Sequence, residues 1–280
     1  MKEHPRRGPK LTDAAKPATF EVEAYNERGE MVPTAIAGEH PLTLYLDKRE
    51  VVTLMTLGHA PEALVIGYLR NQRLVKSIDK IAAVQVDWET ESAAVTTRAK
   101  KRVKISKKKT VTTGCGQGTM YGDLMEDIEK VKLRNDVRLA DSDLFVLLEK
   151  VRRHETIYKQ AGAVHGCALA TTAGEILMFI EDVGRHNAVD AIAGKMWLDD
   201  IDGSDKLFYT TGRLTSEMVI KCAQMRIPFL VSRSGLTHMG HEIASKVGIT
   251  MLGRASGRHY LAFTGKERIV RTAPQPTALA

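Results

Sequence analysis

One cysteine of this chain stands in a setting suited to sulfur chemistry. It is Cys115, within the glycine-rich stretch Gly114-Cys115-Gly116-Gln117-Gly118. Glycines permit backbone conformations that a helix or strand forbids, so this loop can present a sulfur atom to a partner. The thiolate is the nucleophilic form of cysteine. The stretch therefore predicts a sulfur-transfer site, although a flexible linker with an incidental cysteine would have the same composition.

A dense run of positive charge precedes the cysteine loop and would favour the thiolate. Its members are Arg98, Lys100, Lys101, Arg102, Lys104, Lys107, Lys108 and Lys109. Val103 and Ile105 within the run indicate a strand, whose charges would line a solvated face. The functional alternative is an electrostatic funnel that feeds the loop. Aromatic residues do not alternate with the lysines, which counts against a base-stacking platform for nucleic acid.

Three polar turns in the C-terminal half follow predicted strands, and each contains a glycine and an arginine. They are Glu181-Asp182-Val183-Gly184-Arg185-His186-Asn187, Thr211-Gly212-Arg213-Leu214-Thr215-Ser216-Glu217 and Ser232-Arg233-Ser234-Gly235. In an open α/β sheet such turns gather along one edge, where helix N-termini attract anions. Arginine adds donors that match phosphate oxygens. The turns predict a phosphate-bearing ligand, with simple helix capping as the alternative for any single turn.

The hydrophobic pattern predicts how the chain is divided. Residues 1–19 form a mobile tail, 20–112 a smaller strand-rich α+β domain, 113–140 the cysteine loop and a linker, and 141–280 an α/β cofactor-binding domain. In the first domain, strands are predicted at 42–46, 51–55, 81–88 and 93–105, with one helix at 61–70 that begins at a proline. The second domain opens with a helix over 141–160, which Asp141 or Ser142 could cap.

Strands and helices then alternate to the end of the chain. A hairpin is predicted from strands at 164–171 and 176–180, followed by helices at 186–198, 215–225 and 238–247 and strands at 206–210, 228–232 and 249–252. This order indicates a three-layer α/β/α sandwich with a largely parallel sheet. Cys167 and Cys222 lie within apolar segments and are predicted to be core residues.

Composition limits the class of protein. The 280 residues are 43% hydrophobic and 27% charged, enough to bury a sizeable core. The apolar runs are too short to cross a bilayer and the basic start lacks a secretory apolar segment, so we expect a cytoplasmic protein. Three cysteines are too few for a disulfide framework. The formal charge of +7 favours an anionic partner, which nucleic acid, a phosphorylated cofactor or an acidic protein would satisfy.

The nine residues from Asp182 to Asp190, DVGRHNAVD, resemble the signature of the FdhD family, the sulfurtransferases required for formate dehydrogenase activity. The chain is also similar to the family at 57–75, 162–167, 211–217, 232–234 and 248–265. Because these segments occur in the family's order and span nearly the whole chain beyond the tail, the sequence is identified as a member.

The resemblance implies a persulfide carrier. Such a protein takes sulfur from a cysteine desulfurase and passes it to the molybdenum of the bis(molybdopterin guanine dinucleotide) cofactor before that cofactor enters formate dehydrogenase. Cys115 would carry the persulfide, and the C-terminal domain would be a cytidine-deaminase-like sandwich. Cofactor contacts are expected at Arg254, Ala255, Ser256, Gly257, Arg258 and His259. The guanine nucleotide phosphates would account for the arginine-bearing turns, at Gly184, Arg185, His186, Asn187, Thr211, Gly212, Arg213, Ser232, Arg233 and Ser234.

The sequence departs from the family at one position. The family loop usually contains a C-x-x-C pair, whereas Gly118 occupies the second position here. One cysteine cannot form a disulfide within the loop, but it can still accept and donate a sulfane sulfur. The alternative is a cofactor-binding chaperone for formate dehydrogenase that has lost sulfur transfer. A homodimer is expected, because a cofactor with two dinucleotide arms suits two related pockets.

Two other classes of protein share features with this sequence. A zinc deaminase needs H-x-E followed by P-C-x-x-C, which this sequence lacks, so His238, His241 and Glu242 do not predict a metal site. A nucleic-acid-binding module is suggested by the basic run alone. Weak binding to polyanions is expected of any such surface, so no specific nucleic-acid partner is predicted.

Overall fold

A computed structural model describes residues 8–98, 110–111, 118–119, 128, 131–154 and 156–272 of the chain. The chain forms two compact units that interleave along the sequence. Unit 1 is Met1–Asp127, Glu155–Cys167 and Ile180–Ile201, and unit 2 is Ile128–His154, Ala168–Phe179 and Asp202–Ala280. The sequence-based domains run consecutively, whereas the chain here returns to unit 1 twice.

The secondary structure of the described residues begins with β1 (Lys10–Leu11), β2 (Thr19–Tyr25), β3 (Met31–Ala37), β4 (His40–Leu46), β5 (Arg49–Thr56), α1 (Pro61–Asn71), β6 (Ile81–Asp87), β7 (Ser92–Thr97), β8 (Thr110–Val111) and β9 (Gly118–Thr119). It continues with β10 (Leu139–Ala140), α2 (Asp141–Arg153), α3 (Ile157–Ala161), β11 (His165–Thr171), β12 (Ile176–Asp182) and α4 (Arg185–Leu198). The last elements are β13 (Lys206–Thr210), α5 (Ser216–Gln224), β14 (Phe229–Ser232), α6 (His238–Val247), β15 (Thr250–Ser256), β16 (His259–Ala262) and β17 (Ile269–Val270).

Unit 1 contains a five-stranded sheet in the order β1-β6-β7-β4-β5. Alternate residues of β4 are buried, as its period-two pattern requires. Part of the predicted tail belongs to this sheet, since Lys10 and Leu11 pair in parallel with β6. The next residues are also held, because the Ala14 amide donates to Glu62 Oε1 at 2.8 Å.

Two glycines allow α1 and α4 to cross in close contact within unit 1. A Cβ atom at Gly67 would lie 1.6 Å from the Asp190 carbonyl oxygen, and one at Gly194 would lie 1.9 Å from the Ala63 carbonyl oxygen. Only glycine fits at either position. Side chains then fix the crossing, since Asn71 Nδ2 donates to Asp190 Oδ1 at 2.7 Å. The crossing holds the helix that starts within the DVGRHNAVD signature.

Unit 2 contains most of a six-stranded sheet in the order β12-β11-β13-β14-β15-β16. Strands β13, β14 and β15 are parallel, and β16 pairs with β15 in the antiparallel direction. Strands β11 and β12 continue into unit 1 at Cys167 and Ile180. The predicted α/β class is confirmed, with a mixed sheet whose central strands are parallel.

The core of unit 2 lies between this sheet and α2. Leu144, Leu147 and Leu148 of α2 pack against one face of the sheet. The strand residues on that face include Ala168, Ala170, Leu207, Tyr209, Phe229 and Val231. Helices α5 and α6 pack against each other, and α6 packs against β15. Helices that connect consecutive parallel strands by right-handed crossovers are expected on one face of a sheet, and the contact between α5 and α6 fits that rule.

The helix predicted over 141–160 is interrupted. Helix α2 ends at Arg153 and α3 begins at Ile157, where the chain has passed from unit 2 to unit 1. The predicted caps are also wrong, because Ala140 occupies the N-cap position. The Asp141 carboxylate instead accepts hydrogen bonds from the Thr272 amide and hydroxyl, at 2.8 and 2.9 Å. Thr272, in a distant segment of the chain, therefore binds the carboxylate that the sequence predicted to cap the helix.

Candidate functional site

Two of the predicted polar turns meet at one edge of the unit 2 sheet. Thr210 ends β13 and Ser232 ends β14, and the two residues are paired across the parallel strands. Because both strands run in the same direction, their carboxyl ends open onto the same edge. The turn at 211–215 and the turn at 233–237 therefore begin side by side.

Hydrogen bonds from two buried hydroxyl groups fix these turns. The Ser232 hydroxyl donates to the Gly212 carbonyl oxygen at 2.6 Å and accepts from the Ser234 amide at 2.8 Å. The Thr210 hydroxyl accepts from the Gly212 amide at 3.1 Å. Both side chains are fully buried. The backbone of each turn is thus held in place before any ligand arrives.

The same two turns are joined again just before the helices start. Leu214 and Leu236 form a parallel bridge, in which the Leu214 amide donates to the Gly235 carbonyl at 3.0 Å. The Thr237 amide donates back to the Leu214 carbonyl at 3.1 Å. Each turn therefore ends in a Leu-Thr pair, and each threonine occupies the N-cap position of the following helix.

The two N-cap threonines differ in their hydrogen bonds. The Thr237 hydroxyl accepts from the Gly240 amide at 3.2 Å, as an N-cap residue usually does. Among the described residues, the Thr215 hydroxyl has no hydrogen-bond partner although the residue is only 8% exposed. The first turn of α5 therefore keeps amide groups and a buried hydroxyl available. Thr215 is not among the predicted site residues, although the Leu-Thr pair that occurs in both turns was a signal for it.

Exposed arginines border this edge. Arg213 and Arg233 are both exposed, one in each turn. The hairpin expected to contact the cofactor is attached beside them, since the Arg254 amide donates to the Ser234 carbonyl at 2.9 Å. Arg254 has a φ of 52°, and the β15–β16 register shifts between Gly253 and Ser256. This bulge redirects the end of the hairpin, where Ser256, Gly257, Arg258 and His259 are exposed while Ala255 is buried.

A buried ion pair lies on α5 close to its start. Glu217 and Lys221 are separated by 3.5 Å, and their side chains are 3% and 2% exposed. Removing one member of such a pair leaves an uncompensated charge in the core. Both residues lie on α5, four positions apart, so the pair holds two opposite charges together on the buried face of this helix.

The third predicted group, from Gly184 to Asn187, belongs to unit 1. Its side chains are buried rather than exposed, with Arg185, His186 and Asn187 at 5%, 1% and 2% exposure. The Asn187 amide nitrogen donates to Asp182 Oδ1 at 2.8 Å and to the Met55 carbonyl at 2.6 Å. Among the described residues, Arg185 Nε and Nη2 have no hydrogen-bond partner. Arg185 therefore differs from Arg213, which is open to solvent.

Asp182 organises that turn. Besides Asn187, its carboxylate accepts hydrogen bonds from the Thr56 hydroxyl at 2.5 Å, the Leu57 amide at 3.2 Å and the Gly184 amide at 2.9 Å. Burial raises the pKa of Asp182, and these hydrogen bonds oppose the rise. The carboxylate thereby links the start of α4 to the end of β5. A cavity of about 280 Å³ adjoins the turn, lined by Glu39, Thr53, Met55, Val183, Gly184, His186 and Asn187.

The central sequence prediction, Cys115, lies outside the described residues, as do positions 99–109 of the basic run. On either side of the cysteine, β8 and β9 pair in the antiparallel direction, with Val111 opposite Gly118. Cys167 and Cys222 are fully buried, which confirms the prediction that they are core residues.

The described residues contain no group of three or more His, Cys, Asp or Glu side chains placed to hold a metal ion. His238 Nδ1 lies 3.7 Å from Glu242 Oε2 in an exposed pair. Within the same residues, no helix is long and apolar enough to cross a membrane.

Comparison with known proteins shows which family the chain belongs to. The model of the FdhD/NarQ family matches residues 37–270, which span most of both units. The chain belongs to the FdhD/NarQ family. The match covers the signature turn of unit 1 and all three segments at the edge of unit 2, so the family resemblance stated above is confirmed.

Relatives of this FdhD/NarQ member are similar over most of their length. Sulfur carrier protein FdhD of Listeria innocua is 30% identical over 263 residues, which cover 92% of this chain and 99% of the relative. Sulfur carrier protein FdhD of Sulfurisphaera tokodaii is 29% identical over 253 residues, covering 88% and 95%. The crystal structure of a Desulfotalea psychrophila protein, assigned as a formate dehydrogenase accessory protein, has a TM-score of 0.74 and 26% identity. It covers 91% of this chain and 100% of that protein.

Proposed function

We propose that this protein is a sulfur carrier for formate dehydrogenase, which moves persulfide sulfur from a cysteine desulfurase to the molybdenum of bis(molybdopterin guanine dinucleotide). Membership of the FdhD/NarQ family and the names of its relatives support the carrier role. Cys115 is the proposed carrier, because the other two cysteines of the chain are fully buried.

The proposed chemistry has two steps. The Cys115 thiolate attacks the outer sulfur of the desulfurase persulfide, the S–S bond of that persulfide breaks, and the desulfurase leaves as a thiolate. Delivery of the outer sulfur to the metal as sulfide then requires two electrons. A second loop cysteine could supply them by forming a disulfide, but Gly118 stands at that position. In this chain an external thiol would therefore act as reductant.

The edge of unit 2 is the proposed binding site for the cofactor, which is cargo rather than a resident group. The observation that carries this assignment is the pair of hydrogen-bonded turns, which place Arg213 and Arg233 in the segments that lead into two helices. Free amides at helix N-termini and guanidinium groups both bind phosphate oxygens. The remaining residues of the site are Thr211, Gly212, Ser232, Ser234, Arg254, Ala255, Ser256, Gly257, Arg258 and His259.

The buried turn of unit 1 is proposed to have a different role from the exposed turns of unit 2. Arg185 has the donors that an anion would need, whereas Asn187 already bonds to Asp182 and Met55. We assign anion binding to Arg185 and support of its turn to Gly184, His186 and Asn187. We also propose that the protein is a homodimer, in which each subunit binds one nucleotide arm of the cofactor.

A second candidate function rests on Gly118. A chain without the second loop cysteine could bind the cofactor as a chaperone for formate dehydrogenase and leave sulfur transfer to another protein. This alternative predicts that Cys115→Ala still supports maturation of the dehydrogenase.

Mass spectrometry of the intact protein tests sulfur transfer. The wild type and Cys115→Ala are incubated with a cysteine desulfurase and cysteine. We expect the wild type to gain the mass of one sulfur atom, reversibly with reductant, and the variant to gain none. Persulfide on neither protein, with a desulfurase that persulfurates a known acceptor, would favour the chaperone. Loss of formate dehydrogenase maturation in Cys115→Ala would exclude the chaperone.

Binding of GDP tests the cofactor site separately. We expect Arg213→Ala and Arg233→Ala to weaken GDP binding by about tenfold each, the loss expected for one charge-assisted contact. Arg153→Ala is the control, because Arg153 is exposed and pairs with Glu149 on the surface of α2. Tighter binding of a short oligonucleotide than of GDP at physiological salt would support the nucleic-acid class instead. Measurement of the size of the protein in solution, with and without GDP, tests whether it forms a homodimer.

A further inference from the structure

A short strap in unit 1 is held by hydrogen bonds to two other segments. It consists of residues 14–18, which connect β1 to β2. The Lys16 amide donates at 2.8 Å to the carbonyl of Gly58, just after β5. Trp88, just after β6, donates from Nε1 to the Ala14 carbonyl at 2.5 Å. The strap is therefore fastened beside the ends of two strands of the five-stranded sheet.

Aromatic rings connect the strap with His40, the first residue of β4. Lys16 Nζ lies 5.1 Å from the centroid of the Trp88 ring. The centroid of the His40 ring lies 5.7 Å from that of Trp88 and 6.0 Å from that of Phe20, which belongs to β2. Trp88 is thus shared between the ammonium group of the strap and the imidazole ring of His40.

The surroundings of His40 suit the neutral ring. Its Nε2 is buried and has no hydrogen-bond partner among the described residues. A neutral imidazole can leave one nitrogen without a proton, whereas an imidazolium carries a proton on both and requires an acceptor for each. Burial, the largest cause, and Lys16 both lower the pKa of His40, while Glu91 raises it. The folded protein therefore disfavours the charged ring.

Protonation of His40 would act on the strap through Lys16. It would place a second positive charge beside Trp88, whose ring already has Lys16 over it. Glu91, from the turn between β6 and β7, is the carboxylate that opposes this repulsion, but it is exposed and solvent weakens its effect. Movement of the strap would carry Lys16 away and admit water to the ring. The released strap is therefore favoured by the charged form of His40 over the neutral form.

We propose that residues 14–18 are a pH-sensitive strap, which is held in place while His40 is neutral and opens when His40 is protonated. The opening is local, because β1 pairs with β6 on one side of the strap and β2 pairs with β3 on the other. Folding lowers the pKa of His40 from its ordinary value of about 6.5. The hold on the strap is therefore complete above about pH 6.5 and weakens as the pH falls from there to the folded pKa.

Hydrogen bonds connect the strap to the DVGRHNAVD turn. Gly58, which accepts from Lys16, donates from its amide to the Thr56 hydroxyl at 3.2 Å. The Thr56 hydroxyl donates in turn to the Asp182 carboxylate at 2.5 Å. Thr56 is also the residue paired with His40 across β4 and β5. Opening of the strap therefore removes one support of the segment that holds the Asp182 carboxylate.

Hydrogen exchange of the full chain, followed by NMR, measures the opening. The Lys16 amide and the Trp88 indole N–H report on the strap, because both form its hydrogen bonds. The Ile227 amide, bonded to the Cys222 carbonyl in unit 2, is the reference for opening elsewhere. Each rate is divided by the intrinsic exchange rate at the same pH. We expect the opening constant of the two strap groups to rise between about pH 8 and pH 5, with the titration of His40, and that of Ile227 not to follow it.

Three variants locate the titrating group. His40→Phe keeps an aromatic ring beside Phe20 and Trp88 but cannot be protonated, so we expect it to lose the pH-dependent rise. His59→Phe is the matched control and should keep the rise, because His59 is exposed and lies next to Gly58. Lys16→Met should raise the folded pKa of His40 and shift the rise to higher pH. The pKa of His40 is read from its ring protons in the wild type, so this part of the test does not depend on the folding of His40→Phe.

Four results would overturn the proposal. The opening constant of the strap could be independent of pH, or His40 could titrate at or above about pH 6.5 in the wild type. The rise could be lost in His59→Phe as in His40→Phe. It could also persist in His40→Phe and disappear in Asp182→Asn, which would assign the titration to Asp182. The persulfide and GDP measurements do not involve the strap, so these outcomes leave the proposed function to its own tests.

Discussion

Substitution of Gly194 by alanine should destabilise unit 1 through the crossing of α1 and α4. The new Cβ atom would lie 1.9 Å from the Ala63 carbonyl oxygen, and ordinary contact begins at 3.4 Å. The two helices must therefore separate by about 1.5 Å, because neither the Cβ atom nor a backbone carbonyl can rotate away. Gly67→Ala makes the reciprocal clash, with its Cβ atom 1.6 Å from the Asp190 carbonyl oxygen.

The expected cost follows from two opposing effects. Overpacking of a core costs about 1–3 kcal/mol, and a clash with rigid backbone belongs at or above the upper end. Alanine recovers about 1 kcal/mol of helix propensity relative to glycine. Gly194→Ala should therefore lower the free energy of unfolding by at least about 2 kcal/mol. In the double variant, the first substitution has already separated the helices, so the second should cost about 1 kcal/mol less than it does alone.

Urea unfolding measures the global free energy of unfolding, and hydrogen exchange of peptides from α1 and α4 measures the free energy of local opening. Both are needed because the two units of the chain can differ in stability. Gly235→Ala is the control, because a Cβ atom there meets no heavy atom of the described residues within 4 Å. A loss below about 0.5 kcal/mol for Gly194→Ala, or costs that add fully in the double variant, would refute the account of the crossing.

The remaining predictions concern the single side chains of Asp182, Thr237 and Thr215. Asp182→Asn should lower stability by about 3 kcal/mol at neutral pH, because an amide nitrogen would face donors that the carboxylate now accepts. The pKa of Asp182 is raised in the folded protein, so the wild type should lose stability relative to Asp182→Asn as the pH rises from about 3.9 through the folded pKa. A difference in Tm between the two proteins that stays constant across that range would contradict the shift. Thr237→Ala should cost about 1 kcal/mol in urea unfolding because the cap bond to Gly240 is lost. Thr215→Ala should cost clearly less, as its hydroxyl has no partner among the described residues, and equal costs would show that the hydroxyl of Thr215 is engaged in the folded protein.

Local sequence predicted the secondary structure of unit 2 closely. The observed strand Lys206–Thr210 and helix His238–Val247 have the predicted bounds. Their signals are local, because a short apolar run predicts the strand and a helical hydrophobic period predicts the helix, each within a single segment. The interrupted helix after Asp141 shows the limit, because the carboxylate predicted to cap it is engaged by Thr272, 131 residues away.

Sequence alone also determined the family and the residue types of the site: a lone loop cysteine, arginine-bearing turns after strands and the DVGRHNAVD signature. Tertiary structure decided which of these residues are exposed and what holds them. It buried Arg185, held Asn187 against Asp182, left Arg213 open at the sheet edge, and buried Arg268 against the Gly248 carbonyl. An arginine in a polar turn has the same sequence signature in water as in a core. Its environment depends on segments far along the chain, such as β5 at the signature turn, and local pattern carries no information about them.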